Sequence, residues 1–175
     1  MKFITGNKNK FLEVKKILGG DIQQLDIDVE EIQSLDADKV IKEKVEEIKK
    51  HYKGKFFCED VSLQIKSLNN FPGPLIKYLV KTIGHRGIHK ILENYSDKSA
   101  IAICKVGYFD GKKTHIFTGQ IKGDIVKSQG RSGFGFDPVF KPLGYEETFA
   151  SMTKEEKNKI SHRYKAFTKL KEHLQ

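Results

Sequence analysis

The spacing of apolar positions changes repeatedly along this chain, and each change predicts an element. Lys2 to Thr5 is short and strand-like, and Gly6-Asn7 ends it. Phe11, Val14 and Leu18 then recur at helical spacing among Lys and Glu, predicting a helix from about Lys8 to Leu18 that Gly19-Gly20 stops. Ile22 to Val29 alternates as a second strand. Asp36 is a favourable N-cap for a second helix, whose inner face carries Val40, Ile41, Val45, Ile48 and Tyr52. Phe56-Phe57-Cys58 predicts a buried strand running into Glu59-Asp60, with Leu63 and Ile65 on a further short strand.

Pro72-Gly73-Pro74 is a turn before a helix at Leu75 to Ile83, followed by another from about Ile88 to Leu92. Ala100 to Phe109 is a long apolar strand, Asp110-Gly111 a strong hairpin signal, and His115 to Val126 the returning strand. Gly130 to Gly135 has glycines and no periodicity, as a loop does. Thr153-Lys154-Glu155-Glu156 reads as a capping box, and Ile160, Tyr164, Phe167 and Leu174 mark a carboxy-terminal amphipathic helix. Helices alternate with strands in the first half and a long hairpin fills the second. The order implies an α/β or α+β fold around a mixed sheet.

Composition narrows the class. The 175 residues suit one domain, 1–175, with 38% hydrophobic and 31% charged residues, a globular balance. No apolar run is long enough to span a bilayer, and the amino terminus reaches a Gly-Asn turn before any signal-peptide core develops. Cys58 and Cys104 lie in apolar strand-like segments without metal-site or CxxC spacing, which reads as reduced core cysteines of a cytoplasmic protein. The formal charge of +9 suits nucleic acid, an acidic membrane or a highly charged small anion. The lysines are spread along the chain instead of bunched in a tail, which weighs against a disordered nucleic-acid arm.

Four segments carry candidate chemistry. Thr5-Gly6-Asn7-Lys8-Asn9-Lys10 joins a strand to a helix amino terminus, where backbone N–H groups and the helix dipole favour anions. It also reads as a plain strand–turn–helix junction with solvated lysines. Glu59-Asp60, with Glu30-Glu31 closing the second strand, offers carboxylates of the kind magnesium takes, although exposed loop acids are the bland reading. Ser132 to Pro138 holds Phe134 and Phe136 between glycines, able to face a planar base, with Asp137 as an acceptor for a ring N–H. The same segment fits a glycine-rich turn anchored by its phenylalanines. Lys157, His162 and Arg163 add donors for an exocyclic oxygen or a phosphate, while a lone histidine is more often a surface residue. Together these are the parts needed to bind a nucleoside triphosphate with magnesium.

The order and spacing of these segments resemble the inosine triphosphate pyrophosphatase family over nearly the whole chain. The opening Phe3 to Val14, Glu59-Asp60 with Phe71-Pro72-Gly73-Pro74, Phe134 to Pro138, and Ser161-His162-Arg163 are similar to its motifs in turn. The resemblance implies an elongated fold of two lobes around a cleft, a homodimer, and cleavage of ITP, dITP and XTP between the α- and β-phosphates. It implies that Thr5, Gly6, Asn7, Lys8, Asn9 and Lys10 hold the triphosphate and that Lys44 and Lys77 contact phosphates, Lys44 at the catalytic centre. By the same likeness Glu31 and Asp60 bind magnesium, Glu59 lies beside them, and Asp60 is the general base. Glu30 is the alternative to Glu31 across a one-residue gap. Phe134, Gly135, Phe136, Asp137, Lys157, His162 and Arg163 would hold the base.

One departure stands out. The family has Ser or Thr directly after the central Asp, where this chain has Val61, so only a backbone N–H is available there. Two other readings separate cleanly by experiment. A pyrophosphatase for pyrimidine or methylated nucleotides would share the carboxylates but not the base pocket. A nucleic-acid-binding module would use the charge without needing Glu31 or Asp60, and its binding would weaken steeply with salt.

Overall fold

The computed structural model describes all 175 residues, Met1–Gln175. Its strands are β1 (Lys2–Ile4), β2 (Gln23–Leu25), β3 (Phe56–Ile65), β4 (Pro72–Gly73), β5 (Ser99–Phe109), β6 (Thr114–Ile125) and β7 (Phe140–Pro142). Its helices are α1 (Lys8–Leu18), α2 (Ala37–His51), α3 (Ile76–Ile91), α4 (Lys154–Ile160) and α5 (His162–His173). The strands form one seven-stranded mixed sheet in the order β2-β1-β3-β5-β6-β7, with β4 paired to β3. β1 runs parallel to β2 and β3, whereas β3, β5, β6 and β7 pair antiparallel. No helix is long and apolar enough to cross a membrane.

Alternation along β3 sorts the core between the two faces of the sheet. Phe57 points toward α1 and α5, where it stacks on Phe3 and meets Phe167 edge-on. Phe56 and Cys58 point the other way, under Ile41, Val45 and Ile48 of α2. Leu63 and Ile65 enter a third cluster with Ile76, Ile88, Phe136, Phe140 and Phe149. α5 lies close on β6 because Gly119 has no Cβ; one there would collide with the His162 carbonyl and the Ala166 nitrogen.

Several boundaries differ from the sequence reading, each for a physical reason. β3 is one continuous ten-residue strand, so Glu59 and Asp60 sit in its middle and not at its end. Its whole length is carried by the antiparallel ladder to β5, from Phe56↔Phe109 to Ile65↔Ala100, and ladder hydrogen bonds override the poor strand propensity of two adjacent acids. The second strand is shorter than Ile22 to Val29, since only Gln23–Leu25 finds a partner, in β1. Residues 26–36 are irregular, and Glu30-Glu31 belongs to that connection. The carboxy-terminal helix is two helices. Ser161 breaks them with extended dihedrals (φ −63°, ψ 158°), and its hydroxyl caps α5 by accepting from the Tyr164 amide. The break expected between Ile83 and Ile88 is present as a kink at Gly84 (φ 66°, ψ 180°).

Candidate active site

A gap in the sheet makes the site. β1 pairs with β3 only at Phe56 and Phe57, and β4 only at Leu63 and Gln64. Between them one edge of β3 lacks a neighbouring strand. Ile65 turns its amide and carbonyl away from β5, toward Phe71 and Asn70. By the same alternation Val61 turns its N–H to the open edge. A cleft of about 730 Å³ lies at this edge.

Most of the residues singled out in the sequence line this cleft. Gly6, Asn7, Lys8, Lys10, Glu31, Lys44, Asp60, Val61 and Lys77 border it, as do Phe134, Gly135, Phe136, Asp137, His162 and Arg163. Glu31 is among them and Glu30 is not. Asn9 and Lys157 instead border an adjoining hollow of about 540 Å³ that shares Phe134 with the cleft. Thr5 and Glu59 border neither.

The turn after β1 is built differently from the expected open anion cradle. Thr5 Oγ1 accepts from the Asn7 amide at 3.1 Å, and Asn7 Oδ1 accepts from the Asn9 and Lys10 amides at 3.0 and 3.2 Å. Those side chains shape and cap the turn, and the amides they engage are already satisfied. Lys8 and Lys10 carry the charge this segment presents to the cleft. Gly6 allows the tight approach of Asp26, whose Oδ1 would lie 2.8 Å from a Cβ at that position.

Glu59 and Asp60 face opposite sides of β3 and meet opposite environments. Glu59, only 2% exposed, receives Arg163 Nε at 2.9 Å and Nη2 at 2.8 Å, Lys10 Nζ at 3.2 Å, and the Cys104 thiol at 3.5 Å. Burial opposes its charge, but the Arg163 guanidinium and then the Lys10 ammonium outweigh it and hold the carboxyl far below its usual range. With its oxygens taken, Glu59 is unsuited to ligate a metal. That corrects its place beside Asp60 in the metal set.

Asp60 has no such support. Its Oδ2 is buried without a hydrogen-bond partner, and burial raises its pKa despite the attraction of Lys10 and Lys44. Across the cleft wall Lys44, from α2, pairs with Glu31, and the exposed Lys77 Nζ comes within 3.9 Å of the same carboxylate. Burial works against both partners of the Lys44–Glu31 pair, yet their mutual attraction prevails, lowering the Glu31 pKa and raising that of Lys44. An orphaned carboxylate oxygen near a second carboxylate is an all-oxygen donor set of the kind a hard divalent cation takes.

Behind Arg163 and Asp137 runs a buried chain of alternating charge. Arg163 Nη1 donates to Glu13 Oε2 at 2.6 Å, Lys157 Nζ to Glu13 Oε1 at 2.9 Å, and Lys157 Nζ to Asp137 Oδ2 at 2.6 Å. Extended through Glu59 to Lys10, the chain links α1, β3, the Phe134 loop, α4 and α5. Lys157 is therefore an organising cation with its charge engaged. Arg163 keeps spare N–H groups on its Nη atoms while lining the cleft. Asp137 Oδ2 is likewise occupied, by Lys157 and by the Phe134 amide at 2.8 Å. Burial raises the Asp137 pKa over the pull of Lys157.

Glu13 was not singled out from the sequence as a site residue. It sits one helical turn after Lys10 on α1, a spacing that places both on one face.

The two phenylalanines of the loop have separate fates. Phe134 is half-buried, with Lys157 Nζ at 4.8 Å and Arg163 Cζ at 5.2 Å from its ring centroid. Phe136 is 4% exposed and packs on Phe140 and His162, so it is largely a core anchor. His162 is buried, contrary to the surface reading. Its Nδ1 lacks a partner, and burial, followed by Arg163 and Lys157, pushes its pKa well down, leaving a neutral ring beside the cleft.

A profile of the Ham1 family matches residues 1–173. The chain belongs to the Ham1 family. Among curated relatives it is 43% identical to an inosine triphosphate pyrophosphatase of Ajellomyces capsulatus over 99% of this chain and 96% of that one. It is 41% identical to the protein of the same name from Emericella nidulans, with the same coverage. Among solved structures, the Ham1 protein of Staphylococcus aureus matches with a TM-score of 0.84 at 26% identity, covering 99% of this chain and 98% of that one. A HAM1 protein from Coxiella burnetii matches at 0.83 and 25%, with the same coverage. The mixed sheet and its flanking helices are thus the architecture of this family.

Proposed function

We propose that this Ham1-family chain hydrolyses inosine triphosphate, and with it dITP and XTP, to the nucleoside monophosphate and pyrophosphate. The observation that carries the reading is one cleft lined by two unlike sets of residues. Asp60, Glu31 and a cluster of lysines are one set, and Phe134, His162 and Arg163 are the other. The relatives named above bear the corresponding activity in their names.

Magnesium fits the residues present, with Glu31 and Asp60 as the carboxylates that would hold it. When bound, such an ion supplies positive charge to phosphate oxygens and to the leaving group. Asp60 orients a water and takes its proton as the water oxygen bonds to the α-phosphorus; the bond to the bridging oxygen breaks and pyrophosphate departs. The Asp60 Oδ2 that has no hydrogen-bond partner within the protein is the oxygen open to that proton. Lys8, Lys10 and Lys77 offset the charge of the triphosphate and of the product. Lys44 belongs to the same centre, its ammonium shared between Glu31 and an incoming phosphate. At the residue where the family carries a hydroxyl, the Val61 N–H at the open edge of β3 is the donor.

Base selection follows from unsatisfied groups. The spare Arg163 N–H groups suit the 6-keto oxygen of hypoxanthine or xanthine, and an adenine amino group there would leave a buried donor unpaired. Guanine shares the 6-keto group, so its rejection rests on its 2-amino group. A homodimer and a cytoplasmic location complete the reading, with a nucleoside triphosphate as the partner and neither a membrane nor a stable nucleic-acid complex. The test is pyrophosphate release from ITP, XTP, GTP and ATP with and without magnesium. Selective, magnesium-dependent turnover of ITP and XTP is expected; equal rates on ITP and ATP would sink the selectivity argument.

A further inference from the structure

Two features of α3 and the Phe134 loop serve no purpose in the chemistry above. Helix α3 breaks at Gly84, whose φ of 66° lies in the left-handed region that glycine adopts without strain. Immediately after the break, His85 reaches across to the loop, and its Nε2 lies 2.6 Å from the Gly135 carbonyl oxygen. That carbonyl can only accept, so Nε2 carries the proton. Gly135 itself has φ 63°. The residues on both sides of Gly135 are the ring that meets the cleft, Phe134, and the core anchor, Phe136.

The bond joins two separate walls of one cavity. The first half of α3 contributes Lys77 and Tyr78 to the cleft, and the loop contributes Phe134 and Gly135. From its other side the loop is held by Asp137, which accepts the Phe134 amide and the Lys157 ammonium. Without His85, no side-chain hydrogen bond would connect α3 to this loop. We propose that His85 is a positioning residue, a latch from the kink of α3 to the base-facing loop that sets the plane of Phe134 for the nucleobase. The role rests on the activity proposed above and deepens it. His85 does not line the cleft, so it acts on affinity for the base and not on the chemical step.

The physical scale is that of one hydrogen bond to a carbonyl, about 1 kcal/mol, or roughly fivefold in an equilibrium constant. His85→Ala is therefore expected to raise KM for ITP roughly fivefold with kcat nearly unchanged. His85→Gln, whose side-chain amide keeps a donor, is expected to recover most of that loss. Ribose 5-triphosphate, which has phosphates but no base, should show the same KM for both variants and the unaltered protein.

Amide hydrogen exchange in the ligand-free protein supplies a reading independent of substrate. Exchange across Gly133–Phe136 should quicken in His85→Ala and return toward normal in His85→Gln. Unchanged exchange, or a KM change equal for ITP and ribose 5-triphosphate, overturns the latch. If the unaltered protein releases no pyrophosphate from ITP, the proposed activity fails, and the exchange measurement still decides the latch.

Discussion

On one face of β3, Glu59 is wrapped by Arg163, Lys10 and the Cys104 thiol; on the other, the adjacent Asp60 keeps a buried oxygen with no partner at all. Both are mid-strand acids, separated by a single peptide bond, yet the first is stabilised as an anion and the second is strained as one. The difference teaches how a strand divides labour. Alternation sends consecutive side chains to opposite faces, so one acid can fasten α5 to the sheet while its neighbour stays available for chemistry. A satisfied buried charge builds structure, whereas an unsatisfied one is free energy held in readiness for a ligand.

The largest expected effect breaks the structural side of this pair. Glu59→Gln leaves Arg163 buried with a lost counter-charge and should cost about 3–5 kcal/mol of stability, read by urea unfolding. A cost below about 1 kcal/mol would erase the contrast. The pH dependence has a definite sign. The Glu59 pKa is depressed when folded, so its contribution is present above the usual carboxyl value of 4.5 and disappears as pH falls through that value toward the lower folded one.

Next in size is the chemical side. Asp60→Asn should lower kcat for ITP on the order of 10²-fold or more with the fold intact. Because the Asp60 pKa is raised from 3.8 by burial, ionised Asp60 lowers stability as pH rises through 3.8 toward the folded value. In metal-free buffer at neutral pH the Asn variant should accordingly be as stable as the unaltered protein or more so. Added magnesium should raise the melting temperature of the unaltered protein only. An Asn variant with full turnover, or an equal magnesium response in both proteins, removes Asp60 from its role.

Phe134→Ala sharpens the contrast within the loop that lines the cleft. Stacking on an aromatic ring is worth about 1–3 kcal/mol per base, so KM for ITP should rise on the order of tenfold while stability changes little. Phe136→Ala should do the reverse, because that ring fills the core and its removal costs about 3–5 kcal/mol. The smallest expected effect is at exposed Lys77. Lys77→Ala should change KM by about threefold at low salt and less at high salt, as screening predicts. A salt-insensitive loss would mean direct, desolvated contact instead.

The sequence by itself determined much of this protein. Apolar spacing located α1, α2 and the β5–β6 hairpin within a residue or two, because those elements carry their own periodicity, caps and turn residues. Motif order brought the cleft-lining residues onto one list. What only the tertiary structure decided was which atoms are already engaged. No local signal says that β3 runs unbroken through two acids, that Ser161 splits the last helix, or that Glu13 bridges Lys157 and Arg163. Each follows from long-range partners: the β5 ladder, the close seat of α5 on Gly119, and charges meeting from distant elements. Local sequence specifies what a residue can do, and the desolvated surroundings assembled on folding decide whether its charge is already satisfied.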